Sequence, residues 1–335
     1  MSVRIAINGF GRIGRISLRQ ALKRDDIKIV AINSRSQIES HAHLLKYDST
    51  YGTLEEDVII KDDFLIIGNH KVKVFRNSNP EEIDWNSVGA DIVIESTGAF
   101  VDKASASKHL GGSVKKVIIS APGKGIDGTF VMGVNHDLYD ASEHTIISNA
   151  SCTTNCLAPV AKVLDDEFGI VKGQMTTIHA FTNDQNILDN SHKKDLRRAR
   201  TATSSIIPTS TGAAKAVSLV LPNLEGKLTG LAVRTPSSCV SLVDLVVEVS
   251  KSTTADEVNE KMKQYADGDM KNIIGIDFVP KVSIDYKADP RSSIVDGLST
   301  SVIGGNLVKV LSWYDNEWGY AARLLDLTAL LGAKL

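Results

Sequence analysis

The chain has 335 residues, about twice the length of a common domain, so its length predicts two domains, each with its own core. Hydrophobic residues make up 42% and charged residues 23%, which excludes a disordered or fibrous chain and predicts a packed globule. The 38 Lys and Arg against 40 Asp and Glu leave a formal net charge of -2. No overall field therefore attracts nucleic acid or an anionic membrane, and any anion site has to be local.

Neither a secretory leader nor a membrane span is expected. The segment Met1–Asn8 has one basic residue and an apolar run too short for a signal peptide, and no later run approaches roughly 18 apolar residues. A cytoplasmic protein with reduced thiols is therefore expected. The three cysteines, Cys152, Cys156 and Cys239, are too few and odd in number for a disulfide framework and lack the paired spacing of structural zinc. No metal site is predicted, and a reactive thiol becomes a hypothesis to test.

The first half of the chain alternates short β-branched runs with amphipathic stretches. Gly, Asn or Asp bound these runs, which predicts an α/β domain with a mainly parallel sheet over residues 1–150. The runs are Val3–Ile7, Ile27–Ile32, Val58–Ile60, Val72–Phe75, Ile92–Ile94, Val117–Ile119 and Thr145–Ile147. Residues 11–23 repeat apolar positions as a helix lying on a sheet would.

The pattern of predicted helices and strands changes after Ile147. A helix is predicted over Cys152–Phe168, with N-cap residues before it and Gly169 as its C-cap. Longer strand patterns and fewer helices then predict an α+β domain with a largely antiparallel or mixed sheet over residues 151–317. These patterns are strands at Gln174–Ala180, Val240–Val249 and Leu307–Trp313, and a helix at Thr254–Tyr265 that starts with a Thr254/Glu257 capping box. A C-terminal helix within residues 318–335 is expected to pack back onto the first domain.

The sharpest local motif is Gly9-Phe10-Gly11-Arg12-Ile13-Gly14, placed after a predicted strand and opening a predicted helix. Gly9 permits the tight turn, Gly11 lets the backbone approach a pyrophosphate, and Gly14 permits close packing of helix on strand. In this context the motif predicts dinucleotide binding, whereas a purely structural glycine turn is the alternative.

The end of the second strand predicts the cofactor's ribose contact. An acidic residue there would bind the 2'-hydroxyl of NAD, but the sequence has Asn33-Ser34-Arg35. Ser34 can donate a hydrogen bond and Arg35 can supply charge to a 2'-phosphate, so NADP is predicted to be accepted and preferred. The alternative is that Arg35 points to solvent and NAD binds through Asn33.

A cysteine and a histidine form the candidate catalytic pair. Cys152 falls in the first turn of a predicted helix, where the dipole and free N–H groups favour a thiolate, although a small core cysteine is an equally good interpretation. His179, at the end of a predicted strand, is the candidate base. Beside a nicotinamide fold this pair indicates aldehyde oxidation, in which the thiolate adds to the carbonyl, the adduct gives up hydride and a thioester remains. An exposed thiol of low pKa is also expected to be sensitive to oxidation.

Hydroxyl and arginine side chains in the second half are candidate phosphate ligands. Hydroxyls and N–H groups at a helix start, with arginine nearby, suit phosphate. The candidates are Thr182, Arg198, Thr209–Gly212 and Arg234. Arg198 belongs to a basic run, His192–Arg200, which by itself also fits a flexible loop or a weak nucleic-acid patch.

Long motifs in the chain closely resemble those of the phosphorylating glyceraldehyde-3-phosphate dehydrogenase family. They occur in the family's order and span nearly the whole chain. The motifs are INGFGRIGR (Ile7–Arg15), HLLKYD (His43–Asp48), SNASCTTNC (Ser148–Cys156), DLRRAR (Asp195–Arg200), PTSTGAAKA (Pro208–Ala216) and WYDNEWGY (Trp313–Tyr320). The resemblance implies oxidation of glyceraldehyde 3-phosphate to 1,3-bisphosphoglycerate with NAD or NADP and inorganic phosphate, in a homotetramer with no primary nucleic-acid role.

The same resemblance implies roles for individual residues. Cys152 would be the nucleophile and His179 the base. The substrate phosphate and the attacking phosphate would be held by Ser151, Thr153, Thr182, Arg198, Thr211, Gly212 and Arg234. The cofactor would be bound by Gly9, Gly11, Arg12, Ile13, Gly14, Ser34, Arg35, Ser120, Ser191 and Asn316. Because the basic run has one more Lys than many bacterial relatives, any arginine within residues 197–200 could fill the role given to Arg198.

Two departures from the family pattern favour a 2'-phosphate. Members that prefer NAD usually have Asp at the position of Ser34, and Leu-Pro where this chain has Asn190-Ser191. Alternatives within and outside enzymes stay open: the related erythrose-4-phosphate dehydrogenase, in which water hydrolyses the thioester, and a redox-sensing or RNA-binding secondary role. Thr211 and Gly212 argue against the first alternative.

Overall fold

The computed structural model describes residues 2–335, which divide into two compact units. Unit 1 contains the residues up to Phe130 together with His136–Ala150 and Ala321–Leu335, and unit 2 contains Val131–Asn135 and Ser151–Tyr320. Among residues 2–335, none of the helices combines the length and apolar character needed to cross a membrane.

Unit 1 is built on a nine-stranded sheet with the order β10-β11-β9-β8-β1-β2-β7-β6-β5. Its strands are β1 Val3–Asn8, β2 Ile27–Asn33, β5 Val58–Lys61, β6 Phe64–Ile67, β7 His70–Phe75, β8 Ile92–Glu95, β9 Lys116–Ile119, β10 Gly128–Thr129 and β11 Ile146–Ser148, and a separate two-stranded ladder joins β3 Tyr47–Asp48 to β4 Gly52–Thr53. All pairings from β10 to β7 are parallel, whereas β7, β6 and β5 pair antiparallel. The predicted α/β class with a mainly parallel sheet is confirmed.

The central strands of unit 1 are apolar because both of their faces are covered. Every residue of β8 and β9 is buried, and Ile5 and Ile7 of β1 have no exposed surface. Such continuous apolar strands are typical of parallel sheets covered by helices on both faces. The helices are α1 Arg12–Ala21, α2 Ile38–Lys46 and α3 Lys103–Ala106, with short 3-10 turns at Pro80–Glu82, Trp85–Val88, Ser107–His109 and His136–Leu138.

The strand order reverses at β1, which lies between β2 and β8. In open parallel sheets a ligand crevice forms at the carboxyl ends of the strands at such a point. The sequence motif Gly9–Gly14 follows β1 directly, so the topology places the predicted dinucleotide loop at this crevice.

The C-terminal helix, α7 Trp318–Gly332, belongs to unit 1 from Ala321 onward. Asp326 accepts a hydrogen bond from Arg24 at 2.6 Å, and Lys334 Nζ donates to the Tyr139 carbonyl at 3.1 Å. A Cβ at Gly332 would lie 2.6 Å from Val3, so the end of this helix packs directly on the first strand.

Unit 2 is built on an eight-stranded mixed sheet with the order β13-β14-β12-β15-β19-β17-β16, to which β18 adds by pairing with β19. The elements are α4 Cys152–Phe168, β12 Ile170–Ala180, β13 Ile207–Ser210, α5 Ala213–Val220, β14 Leu228–Thr235, β15 Ser241–Val249, α6 Ala255–Asp267, β16 Ile274–Asp277, β17 Ser293–Asp296, β18 Ser301–Ile303 and β19 Leu307–Tyr314, with 3-10 turns at Leu196–Ala199, Pro222–Leu224 and Ser283–Tyr286. Only β12 with β14 and β16 with β17 pair parallel. The prediction of an α+β domain with a mixed sheet is confirmed.

Strand β15 alternates buried and half-buried residues along its whole length, so one face of this sheet is packed and the other is open. Helix α4 packs on the covered face, and Leu157, Val160, Ala161 and Leu164 are fully buried as the 3.6-residue pattern predicts. The capping box at Thr254 and Glu257 is present at the start of α6.

Candidate functional site

The loop after β1 forms a cradle whose glycines have different steric surroundings. Gly9 has a φ of +97°, and a Cβ there would lie 2.6 Å from the backbone of Ser96. A Cβ on Gly14 would lie 2.3 Å from the Gly9 carbonyl oxygen, whereas one on Gly11 would meet nothing within 4 Å. The backbone at Gly11 is therefore open to a ligand at the N-terminus of α1, as a pyrophosphate requires.

A cavity of about 380 Å³ lies in unit 1 beside this cradle. Its lining includes Asn8, Gly9, Gly11, Asn33, Ser34, Arg35, Ser96 and Thr97. Ser34 is half-buried and Arg35 is exposed, and the lining of this cavity contains no carboxylate. At the end of β2, where NAD sites commonly have an Asp or Glu that binds the ribose, this chain therefore has a hydroxyl and a guanidinium.

Other predicted cofactor residues of unit 1 border the same strand ends. Arg12 forms an ion pair with the buried Asp48, and its guanidinium lies 5.6 Å from the centre of the Tyr51 ring. Ile13 is half-buried in the first turn of α1. Ser120 directly follows β9, and its N–H donates to the Glu95 carbonyl at 2.9 Å. The Arg12 guanidinium is therefore held in place by Asp48 and the Tyr51 ring.

In unit 2, Cys152 is the first residue of helix α4. Ser151 is the N-cap, and its hydroxyl accepts a hydrogen bond from Thr154 N–H at 3.1 Å. The Cys152 side chain lies at the helix N-terminus, 3.5 Å from Nε2 of His179. The fold therefore brings together the two residues that the sequence analysis paired.

His179 sits near the carboxyl end of β12, where its ring is buried and held from three sides. Its Nδ1 lies 2.7 Å from the Ala180 carbonyl oxygen and 2.7 Å from a guanidinium nitrogen of Arg234. The Tyr314 ring meets it edge-on, with ring centres 5.9 Å apart. These contacts fix the orientation of the imidazole so that Nε2 faces the thiol.

The charge states of this pair differ from the sequence-based expectation. Burial raises the pKa of the Cys152 thiol, although the Arg234 charge and the Thr153 N–H lower it. Burial, followed by the Arg234 charge, lowers the pKa of His179 to about 3. The exposed thiol of low pKa expected from the helix start alone is therefore wrong: Cys152 is half-buried, and desolvation outweighs the nearby positive charge.

Arg234 is the cation closest to this pair, and it carries a free donor. Strand register aligns Arg234 of β14 with His179 of β12. Within residues 2–335, the buried Nε of Arg234 has no hydrogen-bond partner. A buried guanidinium N–H without an acceptor is costly, so this donor points to an anionic ligand.

The other predicted phosphate residues are also placed in unit 2. The Thr211 hydroxyl accepts from Ala213 N–H at 3.1 Å, and Gly212 is the N-cap of α5. Thr182 N–H donates to the Gln185 side chain at 2.8 Å. Thr153 is buried, and its hydroxyl lies 2.9 Å from the Tyr314 hydroxyl.

Arg198 is anchored within the loop that holds the basic run. Its Nε donates to the Thr209 hydroxyl at 2.8 Å, a terminal nitrogen donates to the Ser210 carbonyl at 3.1 Å, and it forms an ion pair with Asp184. Arg197 and Arg200 are exposed. Arg197 also reaches β13, where it donates to the Pro208 carbonyl at 3.4 Å, whereas Arg200 pairs with Asp189.

The two remaining cofactor candidates lie in unit 2. Asn316 is buried, and its Oδ1 accepts from the Ser241 hydroxyl at 3.0 Å. Ser191 is exposed in the loop before the basic run and is not part of the lining of the unit 1 cavity.

Two buried side chains that contact the predicted site residues were not singled out from the sequence, namely Tyr314 and Ser241. The buried Tyr314 hydroxyl joins Thr153 to Thr177, at 2.9 Å from each. The Ser241 hydroxyl joins Ala180 N–H to Asn316. A signal was present for Tyr314, because strand alternation puts this polar side chain on the same face as the buried Val310 and Ser312.

Comparison with known proteins gives matches along nearly the whole chain. The family model for glyceraldehyde 3-phosphate dehydrogenase, NAD binding domain, matches residues 3–103, and the model for its C-terminal domain matches residues 151–316. Glyceraldehyde-3-phosphate dehydrogenase 1 of Bacillus cereus is 56% identical over 331 residues, which cover 99% of both chains. Glyceraldehyde-3-phosphate dehydrogenase 2 of Bacillus subtilis (strain 168) is 53% identical over 335 residues, covering 100% of this chain and 98% of that protein.

The doubly wound unit with its glycine cradle and the matching domains define an NAD(P)-dependent oxidoreductase. Within that class, the chain belongs to the glyceraldehyde-3-phosphate dehydrogenase family.

The cradle makes a stability prediction. Gly14→Ala is expected to lower the free energy of unfolding by about 1 to 3 kcal/mol, because the new methyl group collides with the Gly9 carbonyl. Gly11→Ala is the matched control, since its methyl group meets open space: it should change stability by less than about 1 kcal/mol yet weaken NAD(P) binding. Urea unfolding and calorimetric cofactor titration check both expectations, and equal stability losses in the two variants would contradict the packing argument.

Proposed function

We propose that this chain is a phosphorylating glyceraldehyde-3-phosphate dehydrogenase, which converts glyceraldehyde 3-phosphate and inorganic phosphate reversibly to 1,3-bisphosphoglycerate. The observation that carries the proposal is the 3.5 Å contact between Cys152 Sγ and His179 Nε2 at the start of α4. A thiol nucleophile beside an imidazole is the pair that covalent aldehyde oxidation requires. Family membership supplies the substrate class, since the relatives carry this name.

The first step forms a carbon–sulfur bond. Cys152 Sγ attacks the aldehyde carbon, and the thiol proton passes to His179 Nε2 while the carbonyl oxygen gains negative charge. The backbone N–H groups at the N-terminus of α4 are proposed to stabilise this oxyanion. His179 then returns its proton to the oxygen, which gives a neutral thiohemiacetal on Cys152.

Oxidation follows on the same carbon. Bound NAD(P) supplies the hydride acceptor when the thiohemiacetal carbon loses its hydrogen with both electrons. His179 Nε2 accepts the hydroxyl proton as the carbonyl reforms, so a thioester remains on Cys152. A neutral imidazole is needed for this proton transfer, and burial together with Arg234 keeps the pKa of His179 low enough to provide it.

Phosphorolysis completes the cycle. An oxygen of inorganic phosphate attacks the thioester carbon, the carbon–sulfur bond breaks, and the sulfur recovers its proton from His179. The unpartnered Arg234 Nε and the Thr211–Gly212 start of α5 support anion binding in unit 2. Ser151, Thr153, Thr182 and Arg198 are proposed to complete the two phosphate sites.

The thioester is the intermediate that tests this mechanism. The enzyme mixed with glyceraldehyde 3-phosphate and cofactor, but without inorganic phosphate, is expected to reduce about one cofactor per active site and then stall. Mass spectrometry should locate the acyl group on Cys152, and addition of inorganic phosphate should release it. Steady turnover without phosphate would instead favour the water-hydrolysing erythrose-4-phosphate dehydrogenase chemistry.

NADP is proposed to be accepted and preferred over NAD. The support is the end of β2, where Ser34 and Arg35 line the cavity and no carboxylate does. Ser34 can donate to a 2'-phosphate and Arg35 can offset its charge, with Ser191 as a further contact.

Ser34→Asp tests this preference. The new carboxylate should repel the 2'-phosphate and accept from a 2'-hydroxyl, which lowers the ratio of kcat/KM for NADP to that for NAD by about 10- to 100-fold. Ser36→Asp is the matched control, because it adds the same charge outside the cavity lining. Initial-rate measurements with both cofactors check the expectation. If the ratio of kcat/KM for NADP to that for NAD falls equally in both variants, the change is a general effect of the added charge, and the proposed contact of Ser34 is contradicted.

A homotetramer is proposed for the assembled enzyme. Large apolar side chains are exposed on the loop that carries the basic run, with Leu196 84%, Ile187 76% and Leu188 74% accessible. Clustered exposed apolar side chains are typical of association surfaces. Light scattering of the purified protein should give four times the chain mass, and a monomer would contradict the proposal.

A further inference from the structure

A chain of buried polar side chains lies at the carboxyl ends of β1, β2 and β8, and neither the catalytic chemistry nor the glycine motif accounts for it. We name it the buried polar chain; its members are Asn33, Asn8, Glu95, His109 and Trp85. All five are at most 5% exposed. A buried polar side chain destabilises the folded protein unless its hydrogen bonds are complete. We therefore looked for a functional role of these five side chains.

The hydrogen bonds run from the ligand cavity into the core. Asn33 Nδ2 donates to Asn8 Oδ1 at 2.7 Å, and Asn8 Nδ2 donates to Glu95 Oε2 at 2.6 Å. His109 Nε2 lies 3.1 Å from the same Glu95 oxygen. Trp85 Nε1 donates to His109 Nδ1 at 3.2 Å and ends the chain.

The tryptophan fixes the tautomer of the histidine. An indole N–H can only donate, so His109 Nδ1 must accept, and the ring proton of a neutral imidazole then lies on Nε2. Nε2 therefore donates to Glu95. The 3.3 Å approach of Asn8 Nδ2 to His109 Nε2 joins two donors and is not a hydrogen bond, so Glu95 is the acceptor that they share.

The cavity end of the chain is the wall of the dinucleotide site. Glu95 Oε1 accepts from Thr97 N–H at 2.7 Å and from the Thr97 hydroxyl, while Asn33 Oδ1 accepts from Asn77 N–H at 2.9 Å. Asn8, Asn33, Thr97 and Asn77 all line the cavity, whereas Glu95, His109 and Trp85 do not. The buried half of the chain thus holds the lining half in place.

We propose that His109 is a positioning residue for the dinucleotide: by donating to Glu95, with its tautomer fixed by Trp85, it holds Asn8, Asn33 and Thr97 in the geometry that binds the cofactor's ribose end. The proposal rests on the dinucleotide site and not on the aldehyde chemistry. His109 belongs to unit 1 and does not line the cavity, whereas the catalytic thiol belongs to unit 2. Its loss should therefore affect cofactor binding and leave the chemical steps intact.

His109→Leu in the full-length enzyme tests the proposal, with calorimetric titration of NAD and NADP alongside steady-state kinetics. Both the cofactor Kd and the cofactor KM are expected to rise about tenfold or more, since Glu95 loses a donor and Trp85 loses its acceptor. The kcat and the KM for the aldehyde should stay within about twofold of the parent enzyme. His109→Gln, whose amide can donate to Glu95 and accept from Trp85, should restore the Kd to within about threefold.

Val117→Ala controls for lost stability alone. It truncates a fully buried side chain of β9, in a core cluster with Ala106, Ile119 and Ile146 that contains no member of the buried polar chain. An equal rise in cofactor Kd for this variant, or a fall in kcat in His109→Leu, would overturn the proposal.

If His109→Leu does not fold, the cofactor Kd of His109→Gln and of Trp85→Phe tests the proposal instead. A parent-like Kd in Trp85→Phe would overturn it, and a raised Kd there would support it. A parent enzyme that binds neither cofactor would contradict the dinucleotide site itself.

Discussion

Cys152→Ser is expected to lower kcat for glyceraldehyde 3-phosphate oxidation by about 10⁴-fold or more. A serine hydroxyl loses its proton far less readily than a thiol, and the neighbouring base is weak because the pKa of His179 is lowered to about 3. The Cys152 sulfur is the group that contacts His179 Nε2, at 3.5 Å. Without the carbon–sulfur bond the aldehyde has no good hydride to give. Stopped-flow and steady-state absorbance of the reduced cofactor measure the loss.

Cys239→Ser is the matched thiol control for this experiment. Cys239 is also in unit 2, but it is buried in a core cluster with Val240, Tyr286 and Ile294. Its replacement should leave kcat within about threefold of the parent enzyme, and Cys152→Ser should still bind NAD(P) with parent-like affinity. If activity survives in Cys152→Ser and is lost in Cys239→Ser, Cys152 is not the nucleophile.

His179→Gln is expected to lower kcat by about 10²- to 10⁴-fold. The imidazole is the group 3.5 Å from the sulfur, and it accepts a proton both when the thiol adds and when hydride leaves. A glutamine amide keeps part of the polarity but cannot accept that proton. The KM for the aldehyde should change little, because the phosphate contacts are assigned to other side chains.

Alkylation of Cys152 by iodoacetamide gives a second readout for the same variant. The His179 imidazole, 3.5 Å from the sulfur, is the neighbouring group that can take the thiol proton as the sulfur attacks the reagent. His179→Gln should therefore slow alkylation of Cys152 near neutral pH while alkylation of the denatured protein stays unchanged. A large rise in aldehyde KM with an unchanged kcat would make His179 a binding residue instead of a base.

The fold was predictable because its signals are local. β-branched runs, the glycine motif after β1 and the Ser151 cap before Cys152 each act within a few residues. The predicted helix Cys152–Phe168 and the capping box at Thr254 are found at those residues. These patterns predict which segments are helices and strands, and their alternation predicts a mainly parallel sheet.

The contacts that tune the site were not predictable because they join distant segments. Arg234 reaches His179 through the parallel register of β14 on β12, 55 residues apart. Tyr314 reaches Thr153 across 161 residues. A helix start alone favours a thiolate at Cys152, but burial by the surrounding sheet raises the thiol pKa, and no local pattern carries that information.

The measurement that tests the central claim most directly is the initial rate of glyceraldehyde 3-phosphate oxidation with NAD and with NADP, each with and without inorganic phosphate, with Cys152→Ser as the blank. The account predicts continued turnover that requires phosphate, disappears in the variant and has the higher kcat/KM with NADP. Turnover that is independent of phosphate, or that persists in Cys152→Ser, would contradict it.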